Sequence, residues 1–485
     1  MKHAINRIAK NTVYSTIGRA SEAISGILTI MLATRYLGVK VFGEYAFIRV
    51  IAFALTPIIA FGSLRILIRE ISVKKEHASE FVISGLALNV LTSIVVWIIA
   101  TLIAFFYRMD STTVIALYFA LLSQVLYIMT NTLGTVFIAY ENMVYDAATS
   151  IIPRTLTILL FVLVAYLDLG MMGLLISLVI ANAIGVLSTI VILAYRFTKI
   201  KWSVNFKYFA FIFRESLPIA ISTFLSQAYT YINVFQIKIY WDAVQVSLFQ
   251  APQRIIAPLM IVPNAFLFAT VPTLSRLGHE SNARMQLRFA YRKAFKYIII
   301  ITLPFCIYAT INALKIVSLL FGEKFSESAA SFQILLWTVI PVFINALIGF
   351  LITSINKQKV LTISSSICFM TNCVLGFILV KNYGNIGASW AFLISCMVLF
   401  MVNFYYISKY LYFIPVHHIV IQPLFAGLTM YLFFILFANK INIALLGVCA
   451  FLMYFGVLFL SNTFTSDEIE IFKSAIPARF KKNRN

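Results

Sequence analysis

Three arginines sit where an apolar chain can least accommodate them. Arg19 and Arg49 fall well inside the first two apolar runs of the 485-residue sequence, and Arg254 falls inside another near its middle. An arginine at the centre of a membrane helix costs roughly 2.5–3.5 kcal/mol on insertion scales, so a chain keeps one where it faces water or a partner. Guanidinium groups stay charged at low dielectric and match phosphate oxygens with two parallel N–H bonds. Arg49 and Arg254 have no acidic residue at helical spacing within their runs, whereas Arg19 has Glu22 three residues on. The chemistry open to this set is electrostatic recognition: on facing helices, the three cations would hold a diphosphate. Glu22 is the one clear carboxylate at that depth, a candidate for ion coupling or a structural partner of Arg19.

The neighbouring spacing extends these positions into stripes. Ser15, Arg19, Glu22, Gly26, Thr29 and Ala33 share a helical face, as do Tyr45, Arg49, Ala52 and Thr56. Further on, Gln227, Tyr231, Val234 and Lys238 share a face beside Ser226, Thr230 and Asn233, and Gln250 lies one turn before Arg254. Gln227, Asn233 and Gln250 are candidates to meet hydroxyl-rich parts of a ligand. Lys238 is a candidate for the anion, although its place four residues before Asp242 also suits a side chain snorkelling at a helix end. Pro252, Pro258 and Pro263 predict an interrupted helix whose freed carbonyls line a cavity. Arg65 and Arg154 read as headgroup anchors, and Lys315 as a snorkelling residue. The abundant Phe and Tyr read mostly as lipid-facing or interfacial bulk.

Other chemistries find little support. There is no phosphate-cradling G-x-x-x-x-G-K-[ST] and no H-E-x-x-H; His279-Glu280 lacks its second histidine, and His417-His418 sits at the end of a run. The five cysteines lie inside apolar runs without metal-site spacing and read as packing residues. Neither a cofactor nor a metal is expected, and no paired carboxylates or activated nucleophile argue for an enzyme.

The elements that must position the arginines are membrane helices. Hydrophobic residues make up 61% of the chain and charged ones 11%, with a mean hydropathy of +0.94. A soluble protein has about 25% charged residues, so this is an integral membrane protein. The N-terminal MKHAINRIAKNTVYS is a basic amphipathic lead-in, without the compact apolar core of a cleaved signal peptide. Fourteen apolar runs are long enough to span: about 12–34, 42–65, 81–107, 112–139, 147–168, 170–195, 215–240, 246–274, 296–321, 330–355, 360–380, 385–411, 416–438 and 441–463. The net charge of +21 is spread over alternate short connections, which argues against nucleic acid. Of the 38 Lys and Arg, 25 fall on the side of the N-terminus and six on the other, placing both termini in the cytoplasm. In the connection from Arg276 to Lys296, Arg284, Arg288, Arg292 and Lys296 recur every four positions, which reads equally as a surface helix on anionic headgroups or as ordinary inside-loop charge.

A faint repeat relates the halves: Phe42-Gly43-Glu44-Tyr45, Arg49 and Pro57 are echoed by Val246-Ser247-Leu248-Phe249, Arg254 and Pro258. This predicts an all-α architecture of two six-helix lobes, 1–205 and 206–412, with two further spans and a basic tail in 413–485. The cavity would lie between the lobes.

RYLG at 35–38, FGEYAF at 42–47, RESLPIAIS at 214–222, PTLSRL at 272–277, LFGEKF at 320–325, INKQK at 355–359 and KNYGNIGASWA at 381–391 resemble, in order and spacing, the polysaccharide (Wzx-type) flippases of the multidrug/oligosaccharidyl-lipid/polysaccharide superfamily. The resemblance implies alternating access and a cargo of undecaprenyl-diphosphate-linked oligosaccharide, moved from the inner to the outer leaflet of a bacterial inner membrane. It also implies work alongside a polysaccharide polymerase and chain-length machinery, and a cavity lined by basic residues at the places of Arg19, Arg49 and Arg254. Two rivals remain: a cation-coupled multidrug exporter, which should carry acidic cavity residues, and a membrane glycosyltransferase or polymerase, which needs a larger outward loop.

Overall fold

Backbone groups in hydrocarbon must be satisfied within their own segment, so long apolar runs fold as helices. The computed structural model describes residues 2–197, 203–259, 283–355, 357–437, 443–461 and 463–464, and among them every regular element is helical. The side chain of Arg19, the connection at 198–202, the stretch 260–282 with Pro263 and PTLSRL, and the tail from 465 lie outside the described part.

The first helix, α1 (Lys2–Ala60), runs through 59 residues with one break, at Gly38 (φ 69, ψ 177), a conformation open to glycine. Its first arm follows α5 (Met143–Tyr166): Asn11 Nδ2 donates to the Glu141 carbonyl (2.7 Å) near one end, and the Tyr36 hydroxyl donates to Asp168 Oδ1 (2.9 Å) near the other. The second arm returns beside α3 (Ala78–Phe106), with Phe47 against Tyr107 and the Ile59 carbonyl accepting from the Thr92 hydroxyl (2.9 Å). The arms are therefore antiparallel, and a single glycine does the work of the expected turn. The same device recurs in α13 (Gln358–Tyr410), which reverses at Gly384 (φ 54, ψ −129).

Between them come α2 (Ser63–Val73), α4 (Ser111–Ala139), α6 (Gly170–Arg196), α7 (Phe206–Tyr240), α8 (Ala243–Leu259), α9 (Ala283–Ile311), α10 (Ala313–Phe321), α11 (Ser328–Leu336) and α12 (Val339–Ser354); α14 (Val416–Phe437) and α15 (Ile443–Leu460) follow. Ten described helical stretches are long and apolar enough to cross a bilayer; one contains both arms of α1 and another both arms of α13, with Leu445–Leu460 a shorter apolar helix. Helix α8 occupies the place of the remaining run. The protein is a multi-pass, all-helical membrane bundle.

Three expectations need correction. The ninth run is not one helix: it breaks at Asn312, whose amide bonds back to the Tyr308 carbonyl (2.9 Å), and continues as α10. The tenth run is kept as one spanning stretch, Ser328–Thr353, with a two-residue turn between α11 and α12. The basic stripe is no separate surface helix, because its residues from 283 onward form the first turns of α9. There Arg288 Nε donates to the Leu411 carbonyl (3.1 Å), and Lys296 lies over the rings of Tyr297 and Phe464. Finally, α8 continues through Pro252 without interruption.

Helices α1 and α3–α6, from the first half of the chain, pack on one another, as do α7–α13 from the second, and α1 packs on α8 at least as extensively as on any helix of the first half. Helices α14 and α15 lie on α9 through Ile300, Met430, Phe434 and Tyr454. Contacts between the halves gather at the Tyr36 end. There the Arg35 guanidinium donates to the Leu319 carbonyl, and Phe42 meets Phe325 edge-on at 5.7 Å. Close by, the Tyr107 hydroxyl donates to the Phe235 carbonyl (3.4 Å). At the opposite end α7 leans on α1 and α2, with Phe61 stacked on Phe213 at 5.0 Å and Arg69 paired with Glu215 at 3.3 Å.

Candidate functional site

The second arm of α1 and helix α8 descend side by side from the Tyr36 end, which the contact of Gly43 with Ala243 seals. Gly43 faces Ala243 there, with no room for a side chain between them. Ten residues further along α1 and eleven along α8 come Phe53 and Arg254, so the two helices keep step. The Arg49 guanidinium carbon lies 4.5 Å from the Phe53 ring centroid, and the Arg254 guanidinium carbon lies 4.5 Å from the same centroid. Tyr231 of α7 stacks on that ring, the planes 16° apart and the centroids at 6.3 Å. Arg49, Phe53, Arg254 and Tyr231 are all half-buried, and Tyr45 lies buried one turn above Arg49.

No ion pair to Arg49 or Arg254 is found among the described residues; the described pairs involve other side chains. Two cations thus lie against one aromatic ring in an apolar bundle, without a carboxylate among the described residues to offset them. Aromatic rings attract cations by about 0.5–2 kcal/mol, depending on desolvation. That partly offsets the mutual repulsion of the pair but leaves their charge uncompensated. The arrangement, where α1, α7 and α8 meet, is suited to binding an anion.

The remaining expected site residues scatter. Glu22 is exposed and pairs with Arg154 of α5, Oε2 to Nη2 at 3.1 Å, while Arg154 Nη1 donates to the Gly18 carbonyl (3.1 Å). Arg154 is therefore a strut inside the first half, 18% exposed, and not a headgroup anchor. Gln250 is buried and its Nε2 donates to Gln253 Oε1 (2.6 Å), while Gln253 Nε2 donates to the Thr230 carbonyl (3.2 Å). These bonds hold α8 to α7 and turn Gln250 into the packing. Asn233 is fully buried in α7, both its amide atoms without a hydrogen-bond partner among the described residues. Gln227 is half-buried on α7. Lys238 lies nearer the sealed end, its Nζ 5.7 Å from the Phe47 ring centroid.

Phe53 was not legible as a site residue, since aromatics are everywhere in such a sequence. The signal was its place four residues after Arg49, on the same helical face. Among the described residues no group of three or more His, Cys, Asp or Glu could hold a metal ion.

Solved structures share this architecture. A lipid II flippase in an inward closed conformation superposes with a TM-score of 0.75 at 16% identity, covering 94% of this chain and 100% of that one. An inward-facing multidrug resistance MATE transporter of the MOP superfamily gives 0.62 at 16% identity, covering 82% and 93%. At such identities the likeness is one of fold. Among sequences, the "probable low-salt glycan biosynthesis flippase" of Haloferax volcanii is 21% identical over 224 residues, 46% of this chain and 47% of that protein, so the match spans about half of that relative. The family described as polysaccharide biosynthesis protein matches residues 8–278, more than half of the sequence, including both arms of α1 and the whole of α8. The chain belongs to the polysaccharide biosynthesis protein family.

Proposed function

We propose that the protein is a flippase that carries an undecaprenyl-diphosphate-linked oligosaccharide, the repeat unit of O-antigen or another surface polysaccharide, from the inner to the outer leaflet of a bacterial inner membrane. The observation that carries this reading is the pair Arg49 and Arg254 on one Phe53 ring, with no counter-carboxylate among the described residues. The diphosphate sits between the guanidiniums, Arg19 adds a third cation, and Gln227 and Lys238 meet the sugars or the second phosphate. The lipid tail stays in the bilayer. The lobes 1–205 and 206–412 rock about the cleft, residues 413–485 ride on the second, and both termini are cytoplasmic. The protein is a carrier, not an enzyme, and hands its cargo to a polysaccharide polymerase and chain-length machinery.

The membrane potential favours this direction. Moving one charge is worth about 2.3 kcal/mol per 100 mV, so an interior-negative potential assists a diphosphate outward and an empty cationic cleft inward. Glu22, exposed and paired with Arg154, is the group available for any ion coupling.

A multidrug exporter shares the fold but would need carboxylates in the cleft to hold organic cations, and the cleft presents guanidiniums instead. The test is genetic and chemical. In a deletion strain, Arg49→Ala and Arg254→Ala should insert normally yet leave lipid-linked units accessible only from the cytoplasmic leaflet. Restored export in both variants refutes the assignment, and a drug-susceptibility change without an export defect would favour the rival.

A further inference from the structure

Resting on that reading of the cleft, we infer that Phe53 is the positioning residue that sets the spacing of the two guanidiniums and so selects a diphosphate over a monophosphate. The ring belongs to α1, as does Arg49, while Arg254 comes from α8 in the other half. Each guanidinium carbon stands at the same 4.5 Å from the ring centroid. Left to repulsion alone, two like charges in a low-dielectric cleft would swing their long side chains apart. The ring's π density, negative above and below its plane, draws each guanidinium to the same distance from one centre. Tyr231, stacked nearly parallel on Phe53, fixes the ring's tilt from α7. The cations are therefore pre-organised before any ligand arrives, and pre-organisation lowers the cost of ordering rotamer-rich side chains on binding.

The consequence is one of selectivity. A single phosphate can satisfy one guanidinium bidentately and gains little from the fixed second one. Two linked phosphates engage both, and they lose most when the spacing is no longer held. Phe53 touches the cations and acts through them.

Direct binding by the purified full-length protein, with farnesyl diphosphate and farnesyl monophosphate as probes, tests this. Phe53→Leu keeps the apolar bulk and removes the π face; it should weaken diphosphate binding about tenfold and leave monophosphate binding within about twofold. Phe53→Tyr keeps the face and should bind like the wild type. Should Phe53→Leu be recovered unfolded, Phe53→Met carries the same comparison. Equal loss for both probes, no loss for either, or failure of Phe53→Tyr to rescue overturns the inference. Arg49→Ala runs alongside: if it binds farnesyl diphosphate as well as the wild type, the cleft is not the anion site. If Arg49→Ala fails to bind while Phe53→Leu binds normally, only the role of Phe53 falls.

Discussion

Gly43 of α1 lies directly against the backbone carbonyl of Ala243 at the start of α8, so close that a Cβ would overlap that oxygen. The two helices that carry Arg49 and Arg254 thus touch backbone to backbone at the sealed end, and this contact sets the step at which the arginines meet. An ordinary helical glycine gains roughly 0.5–1 kcal/mol of stability on replacement by alanine. Here the sign reverses, because the neighbour is backbone and cannot swing aside. Gly43→Ala should lower the melting temperature of the purified protein and reduce transport together. A stabilised, fully active Gly43→Ala would show that the seal tolerates a wider gap.

Arg154 and Glu22 join α5 to the first arm of α1. Glu22 is more than half exposed, so the pair is screened, and Glu22→Gln should cost no more than about 1 kcal/mol. Arg154→Ala removes the bond to the Gly18 carbonyl as well and should cost more. Thermal unfolding of the two single variants and the double variant measures the coupling directly. Equal losses for Arg154→Ala and Glu22→Gln would mean that the backbone bond contributes nothing.

How the sequence encodes this molecule differs between fold and site. The apolar runs, the buried cations and the side bias of Lys and Arg made the membrane bundle legible, since hydrocarbon leaves so few backbone solutions. RYLG, FGEYAF, LFGEKF and KNYGNIGASWA carried the resemblance, and in the structure they are punctuation rather than chemistry. Gly38 and Gly384 reverse their helices, and Phe42 of one motif meets Phe325 of another. The partners within the bundle could not be read. Glu22 pairs with Arg154, a partner far away in sequence that no helical spacing suggests. Periodicity placed Asn233 and Gln250 on plausible faces but could not say which neighbour covers them, and both are buried. Such assignments depend on how helices turn against one another, which side-chain type alone does not fix.

The cysteines provide a check on packing that is independent of function. Cys306, Cys368 and Cys396 are buried and Cys373 and Cys449 are partly exposed, all with free thiols. The Cys396 sulfur lies 2.7 Å from the Tyr229 hydroxyl in the interior of the second half. In detergent solution a membrane-permeant maleimide should therefore label Cys373 and Cys449, which face outward from the bundle, before the other three, which react only after denaturation. Equal labelling rates at all five would contradict this packing of the helices.

The most direct test of the central claim is transbilayer movement of a fluorescent prenyl-diphosphate oligosaccharide in proteoliposomes reconstituted with the wild type, Arg49→Ala, Arg254→Ala and the two lysine variants. Removing one partner of a buried charge contact costs about 2–5 kcal/mol, so each alanine variant should lose roughly 30-fold or more in apparent affinity. The lysine variants, charged but not bidentate, should fall between. Movement at the wild-type rate and affinity in both alanine variants would contradict the account.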